Sequence, residues 1–302
     1  MLVVVAASIV GFGLPRFAPG DPAVTLAGPD ATLEQIEAIR IQNGLDEPFF
    51  VQYFTWVENL FRGDFGTSLL SGRPVSELIT SRLATTVELA LVALLFMVVI
   101  GSLLGVLAGS TRRKVPSAVL DGINSLMVGT PPFLIGLLFI LVIGVKLKLL
   151  PFSGSVPITE DPVEGFRSVL LPALALSLPP SAAIARLVQA QMRITEREQF
   201  VELAVAKGVP QRRISVRHVL RNSLDSGIVL AGIRAGELLA GAVVIEAIFA
   251  RNGLGQLAVQ SVANRDYQVV QVIVVGSVIV ALTIQLLTEL LLAALDPRIR
   301  LT

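Results

Sequence analysis

From Ala84 to Gly109 the chain is almost continuously apolar, long runs recur at Ser168–Ala190, Leu224–Phe249 and Val269–Leu295, and a shorter one at Pro132–Val145. A hydrocarbon core needs roughly 20 predominantly apolar residues in helical form to be crossed. Runs of this length therefore name the solvent, which is lipid. Only 16% of the 302 residues are charged and 53% are hydrophobic, against about 25% charged in soluble domains. With the shorter run Met1–Leu14 counted, the sequence predicts an all-α membrane protein with six transmembrane helices.

Several function classes fall away. The net charge is +1, so no bulk basicity points to nucleic acid. The absence of cysteine excludes disulfides, thiolate metal sites and thiol catalysis. The single histidine, His218, argues against a histidine metal centre, and no metal site is expected. No GxxxxGK[ST] phosphate loop occurs, so any nucleotide hydrolysis must come from another chain.

The runs divide the chain. Met1–Leu14 has no basic leader and no convincing cleavage site, and is expected to be a retained membrane helix, not a signal peptide. At ~21 Å it needs flanking residues or a thinned bilayer. Residues 15–83 are too long for a simple connection. They are predicted to form a small extramembrane helical layer, with helices near Leu33–Gln42 and Phe49–Phe61. Gly63–Gly66 and Ser71–Pro74 punctuate it as turns. Residues 84–302 hold the other five spans. The third is preceded by a helical lead-in, Ser117–Val128, broken from it at Thr130-Pro131-Pro132 because proline removes helix donors. The fourth contains Pro179-Pro180.

Orientation follows from the basic residues. Arg112, Arg113 and Lys114, the 193–222 segment, and Arg298 with Arg300 fall on one side, whereas residues 15–83 carry nine carboxylates against five arginines. The basic side is expected to be cytoplasmic and the acidic layer extracytoplasmic, with both termini inside.

The segment 193–222 is the most informative. Phe200, Leu203, Ala204 and Val205 give a helix with one apolar stripe. Gly208 and Pro210 then impose a turn. A second helix mixes Ile214, Val216, Val219 and Leu220 with Arg212, Arg213, Arg217, His218 and Arg221. Such an elbow suits docking into a partner's groove; a basic loop kept only for topology is the plainer alternative. Its tether to the bilayer argues against DNA binding.

Within the spans, ionisable groups are costly and face a cavity or a partner. Arg234 and Glu237 are three apart on one helical face and able to pair, either lining a solute pathway or as a structural ion pair. Glu246 lies toward the outer end of the same span, Arg186 near the inner end of the fourth and Glu289 near that of the sixth. Gly227, Ala231, Gly232, Ala235, Gly236, Ala240, Gly241 and Ala242 form a small-residue face for close helix approach, within the chain or against a second one. An ion-coupled secondary transporter would use Glu237 and Glu246 as relay groups. Six spans with one large insertion and no inverted repeat fit that poorly. An intramembrane hydrolase would need a histidine at membrane depth, which His218 is not.

Glu202-Leu203-Ala204, Gly208, Arg217-His218, Leu220-Arg221-Asn222 and Leu224 resemble the EAA loop of ABC importer permeases. Ala206-Lys207-Gly208 with the following Arg217-His218-x-Leu220-Arg221-Asn222 is similar, more narrowly, to the dipeptide/oligopeptide/nickel permease family. The resemblance extends over some 280 residues through Ala18–Ala23, Gly63–Ser68, Arg82–Ala90, Gly253-Leu254-Gly255, Arg265-Asp266-Tyr267 and Leu295–Ile299. The chain departs from the family at Ser226, Asn252 and Gln268, where proline is common.

The resemblance implies a non-catalytic permease subunit of an ATP-driven importer in the bacterial plasma membrane, forming half of a pathway for peptides or similar small solutes. It implies an EAA-type coupling loop between the fourth and fifth helices, with Glu202, Ala204, Lys207, Gly208, Arg212, Arg217 and His218 contacting an ATPase. Glu246 matches an acidic position of the family; Arg234 and Glu237, where the family's usual residues are uncharged, are placed along the pathway with it by the cost of charge in a span. Asp64, Arg73, Arg265 and Asp266 would meet a solute-binding protein. The implied partners are a second homologous permease, two cytoplasmic ATPase subunits that bind ATP and magnesium, the binding protein and lipid. No cofactor is expected in this chain. The cargo is not readable from the sequence.

Overall fold

The computed structural model describes residues 2–17, 22–28, 31–42, 44–111, 114–210, 213–214 and 219–295. It is helical apart from turns and one isolated antiparallel bridge, Thr67 with Pro74. The helices are α1 (Leu2–Phe17), α2 (Pro22–Ala27), α3 (Leu33–Gln42), α4 (Phe49–Phe61), α5 (Val75–Ser110), α6 (Lys114–Gly129) and α7 (Pro132–Phe139). A π-helical stretch, Ile140–Lys146, continues α7; then come α8 (Pro162–Thr195), α9 (Gln199–Ala206), α10 (Arg221–Ile248), α11 (Leu254–Ala263) and α12 (Tyr267–Leu295).

Among the described residues, α5, α8 and Tyr267–Leu290 are long and apolar enough to cross a membrane. Val115–Gly129 and Pro132–Lys146 pass the same test as a pair, bent by 103°, and Val4–Gly13 is a shorter apolar helix. The bend falls where the sequence places the break. Pro131 and Pro132 lack amide hydrogens, so α6 cannot continue through them, and Pro132 restarts a helix at its first position, where no donor is needed. The second span is longer than its apolar core, for α5 begins nine residues before Ala84.

The chain divides into two compact units, Met1–Leu83 with Leu257–Val280 and Ala84–Gln256 with Ala281–Thr302. In the first, Phe12 of α1 packs among Phe49, Tyr53 and Trp56 of α4, and Ser8 Oγ and Tyr53 Oη share a hydrogen bond of 2.8 Å. Val75, Leu78, Leu257, Val269 and Val272 form a second apolar cluster.

In the second unit, α8 is the central helix. Buried residues make up 67% of its apolar stretch, against 28% for α5. Asp161 caps its start, accepting from the amides of Val163 at 3.0 Å and Glu164 at 3.1 Å. The face that α5 turns to α8 shows why they lie so close. Leu89, Ala93 and Met97 are fully buried, and the same four-residue rhythm continues as Gly101, Gly105 and Gly109. A Cβ on Gly101 would stand 2.7 Å from the Ser181 carbonyl oxygen, and one on Gly105 2.8 Å from that of Ala185. Large side chains follow the same rhythm elsewhere on α5: Leu91, Leu95, Val99, Leu103 and Leu107 are exposed. Lipid is as apolar as leucine, so contact distance, not hydrophobicity, holds such helices together.

The small-residue face of α10 packs largely within the chain. Gly227 faces Val188, Gly232 faces Thr288 and Gly241 faces Leu176, whereas Gly236 faces open space.

Candidate functional site

Three sets of residues carry chemistry in the second unit. The first is the elbow after α8. Val201 is buried against a core that includes Ile214 and Val219, with Ala204 and Val209 partly buried beside it. That contact fixes which face of α9 looks outward: Phe200, Leu203 and Val205 are exposed, with Glu202 and Lys207 among them. Gly208 ends the helix at φ +74°, donating to the Val205 carbonyl at 2.9 Å, and Val209 donates to that of Ala204 at 3.1 Å. Glycine takes this conformation without the Cβ penalty that opposes most other residues. Arg212, Arg217 and His218 lie outside the described residues.

The second is a cavity of about 280 Å³ walled by the α6/α7 bend at Pro132, by Leu176, Pro179 and Pro180 of α8, and by Arg234 and Glu237 of α10. The sequence pairing holds: Arg234 Nη1 donates to both carboxylate oxygens of Glu237 at 2.6 Å. Arg186 and Arg193 are engaged elsewhere on α8, donating to Ser125 at 3.1 Å and Ser117 at 3.4 Å of α6.

Glu246 is not in that cavity. It is fully buried and belongs to a third set, a polar network at the far end of α10. Its carboxylate accepts from Thr86 Oγ1 at 2.6 Å and from the amides of Gly255 at 2.7 Å and Gln256 at 3.4 Å. Thr86 Oγ1 in turn accepts from the Leu254 amide at 2.8 Å. Gly253 lies against the same carboxylate with no room for a side chain. Arg251, also fully buried, donates to the Ser168 carbonyl at 3.0 Å and to Glu88 Oε1 at 3.4 Å. Glu88 Oε2 accepts from the Ile158 amide at 3.3 Å. Burial pushes the Arg251 guanidinium below its ordinary value, while Glu88 and Glu246 pull it back up; the charge persists because it is paired. Thr86, Glu88 and Arg251 escape a reading by spacing. The one local signal is an arginine two residues ahead of Gly253-Leu254-Gly255.

The four residues expected to meet a binding protein lie in the first unit. Asp64 is exposed and accepts from the Gly66 amide at 2.9 Å. Arg73 pairs with Glu77 at 2.6 Å, and that bond raises its pKa. Arg265 is exposed at φ +57°. Asp266 is buried, accepting from Ser68 Oγ and from the Leu69 amide at 3.1 Å, so it anchors the 68–69 turn from within.

Residues 101–301 match the family described as binding-protein-dependent transport system inner membrane component, and residues 1–90 match the N-terminal model of such components. The chain belongs to that family. It is accordingly a multi-pass inner-membrane subunit of a transport system, not the subunit that performs catalysis. It is 36% identical over 300 residues to a Brucella abortus protein that carries the name peptide transport system permease, covering 99% of this chain and 95% of that one. It is 34% identical over 293 residues to the glutathione transport system permease protein GsiC of Escherichia coli, covering 97% and 93%. Among solved structures, a chain of the inward-facing MetNI methionine ABC transporter shares the fold at TM-score 0.59 and 22% identity, over 73% of this chain and 97% of that one. An amino acid ABC transporter aligns at TM-score 0.54 and 18% identity, over 72% and 93%.

Proposed function

We propose that this permease subunit forms half of the translocation pathway of an ATP-driven importer for peptides or similar small solutes. A second homologous permease would complete the pathway, two cytoplasmic ATPase subunits would drive it, and an extracytoplasmic binding protein would deliver the cargo. The names of the curated relatives support the cargo class. The six-span arrangement with both termini cytoplasmic draws on the distribution of basic residues. It draws also on the length of α10, 28 residues, or ~42 Å at 1.5 Å per residue. Residues 15–83 would then form the outer layer that receives the binding protein, with Asp64 and Arg73 as its charged contacts and Arg265 as a further one from the loop before α12.

The observation that carries this reading is the outward face of α9. An eight-residue helix held by Val201 presents Phe200 and Leu203, three apart and neighbours on its surface, with Val205, Glu202 and Lys207 also exposed. Exposed apolar side chains rimmed by charge mark a protein interface. Docked in a groove of an ATPase subunit, the elbow would pass the closure of that subunit into α8 and α10. Coupling of this kind requires contacts that differ in free energy between two states, and a glycine-hinged knuckle with a packed inner side can bear such a load. Ion coupling through Glu237 and Glu246 is less well supported: nine residues separate them on α10, and Thr86, Gly255 and Gln256 occupy the Glu246 carboxylate.

The test is co-purification and transport. Leu203→Asp should remove the ATPase subunits from the purified complex and abolish ATP-dependent uptake, while the permease still reaches the membrane. Retention of both the subunits and uptake would overturn the reading.

A further inference from the structure

The interruptions of three membrane elements converge on one point. The α6/α7 bend, the Pro179-Pro180 pair halfway along α8 and the Arg234–Glu237 pair halfway along α10 all border the cavity of about 280 Å³. The geometry points to a binding site there for a compact zwitterion, a free amino acid or the charged end of a short peptide, its carboxylate on Arg234 and its ammonium on Glu237. The inference rests on the importer reading and names what the pathway holds on the way through.

Arg234 and Glu237 are held together yet reachable. Their side chains keep 37% and 57% exposure, and the enclosed Nε of Arg234 has no hydrogen-bond partner. A guanidinium carries five donors; Nη1 serves Glu237, which leaves donors for a second carboxylate. Exchanging one carboxylate for another keeps Arg234 paired throughout, so the exchange is not opposed by a lost ion pair. A zwitterion can take both places at once, its carboxylate replacing that of Glu237 and its ammonium replacing Arg234. No charge is then left unpaired at membrane depth, where it would be costly. An end-blocked peptide of the same size offers no such exchange.

On the facing wall, Pro179 and Pro180 have no amide hydrogen, so the carbonyl of Leu176, which borders the cavity, loses its usual partner four residues on. The volume lies just below the roughly 300–1,000 Å³ of small-molecule pockets. It suits one terminus or a small solute, not a long peptide whole.

The absence of cysteine makes the test direct. In membrane vesicles holding the complete transporter, Ala183→Cys places one thiol on the cavity wall, and Val128→Cys a second reporter should the first disturb α8. Maleimide labelling is followed with dialanine, and with N-acetyl-dialanine amide. Dialanine should slow labelling about fivefold at four times its dissociation constant, and the blocked analogue should not. Arg234→Gln should abolish the protection and Arg234→Lys should keep part of it. Equal protection by both peptides, protection by neither, protection that survives Arg234→Gln, or a thiol no maleimide reaches would each overturn the site. Co-purification of the ATPase subunits from the same vesicles reports on the importer reading separately.

Discussion

The Arg251 guanidinium donates to the carbonyl oxygen of Ser168 across 3.0 Å, and that oxygen is the one Pro172, four residues further along α8, leaves without a helical donor. Proline in a long helix and arginine in a short loop thus complete one another. With Glu88 and the Ile158 amide, the pair ties α5, α8 and the segment after α10 into one polar joint.

Removing the guanidinium should therefore be costly. Arg251→Met would leave the Glu88 carboxylate unpaired and the Ser168 carbonyl without a donor. Loss of one partner of a buried pair costs about 3–5 kcal/mol. The purified transporter should melt at a markedly lower temperature, and Glu88→Gln added to Arg251→Met should recover part of the loss. A double variant no more stable than the single one would show that the charge is not the cause.

Glycine positions on α5 and α6 should respond in opposite ways. Gly105→Val drives a side chain into Val188 and the Ala185 carbonyl. Overpacking of this kind costs about 1–3 kcal/mol. Gly122 of α6 has nothing within 4 Å of its would-be Cβ, so Gly122→Ala should stabilise by up to about 1 kcal/mol through helix propensity. Thermal unfolding in detergent distinguishes the two.

The elbow turn makes a conformational prediction. Gly208 sits at φ +74° in open space, so a substitution there is opposed by backbone strain alone. Gly208→Val should cost about 1–2 kcal/mol and uncouple ATP hydrolysis from uptake in proteoliposomes. Gly208→Asn, which tolerates this conformation, should retain more of the coupling. Identical behaviour of the two variants would count against the turn.

At the start of α8, Asp161→Ala removes the acceptor of two amides and should cost about 1 kcal/mol, whereas Asp161→Asn should be close to neutral. Hydrogen exchange at Val163 and Glu164 would register the fraying directly.

Much of the framework is legible along the chain. The break at Thr130-Pro131-Pro132, the Arg234–Glu237 pair and the Gly208 turn each depend on residues within a few positions of one another, and local chemistry settles them. The Glu246 network does not have that character. Its hydroxyl partner, Thr86, is 160 residues away, and a glutamate in an apolar helix reads equally well as a pathway group or a structural anchor. The Gly101, Gly105 and Gly109 row is hidden for a similar reason: in an apolar run, nothing local says which face meets a neighbouring backbone. The resemblance alone puts Asp266 at a docking surface, and its burial against Ser68 is a long-range fact.

That glycine row also bears on how force travels. Two successive turns of one helix rest on the main chain of another and the next rests on the Met192 side chain, so neither helix can roll about its own axis without driving atoms together. The two behave as a single beam, so a shove at the α9 end of α8 would be carried sideways into α5 with little lost to slippage.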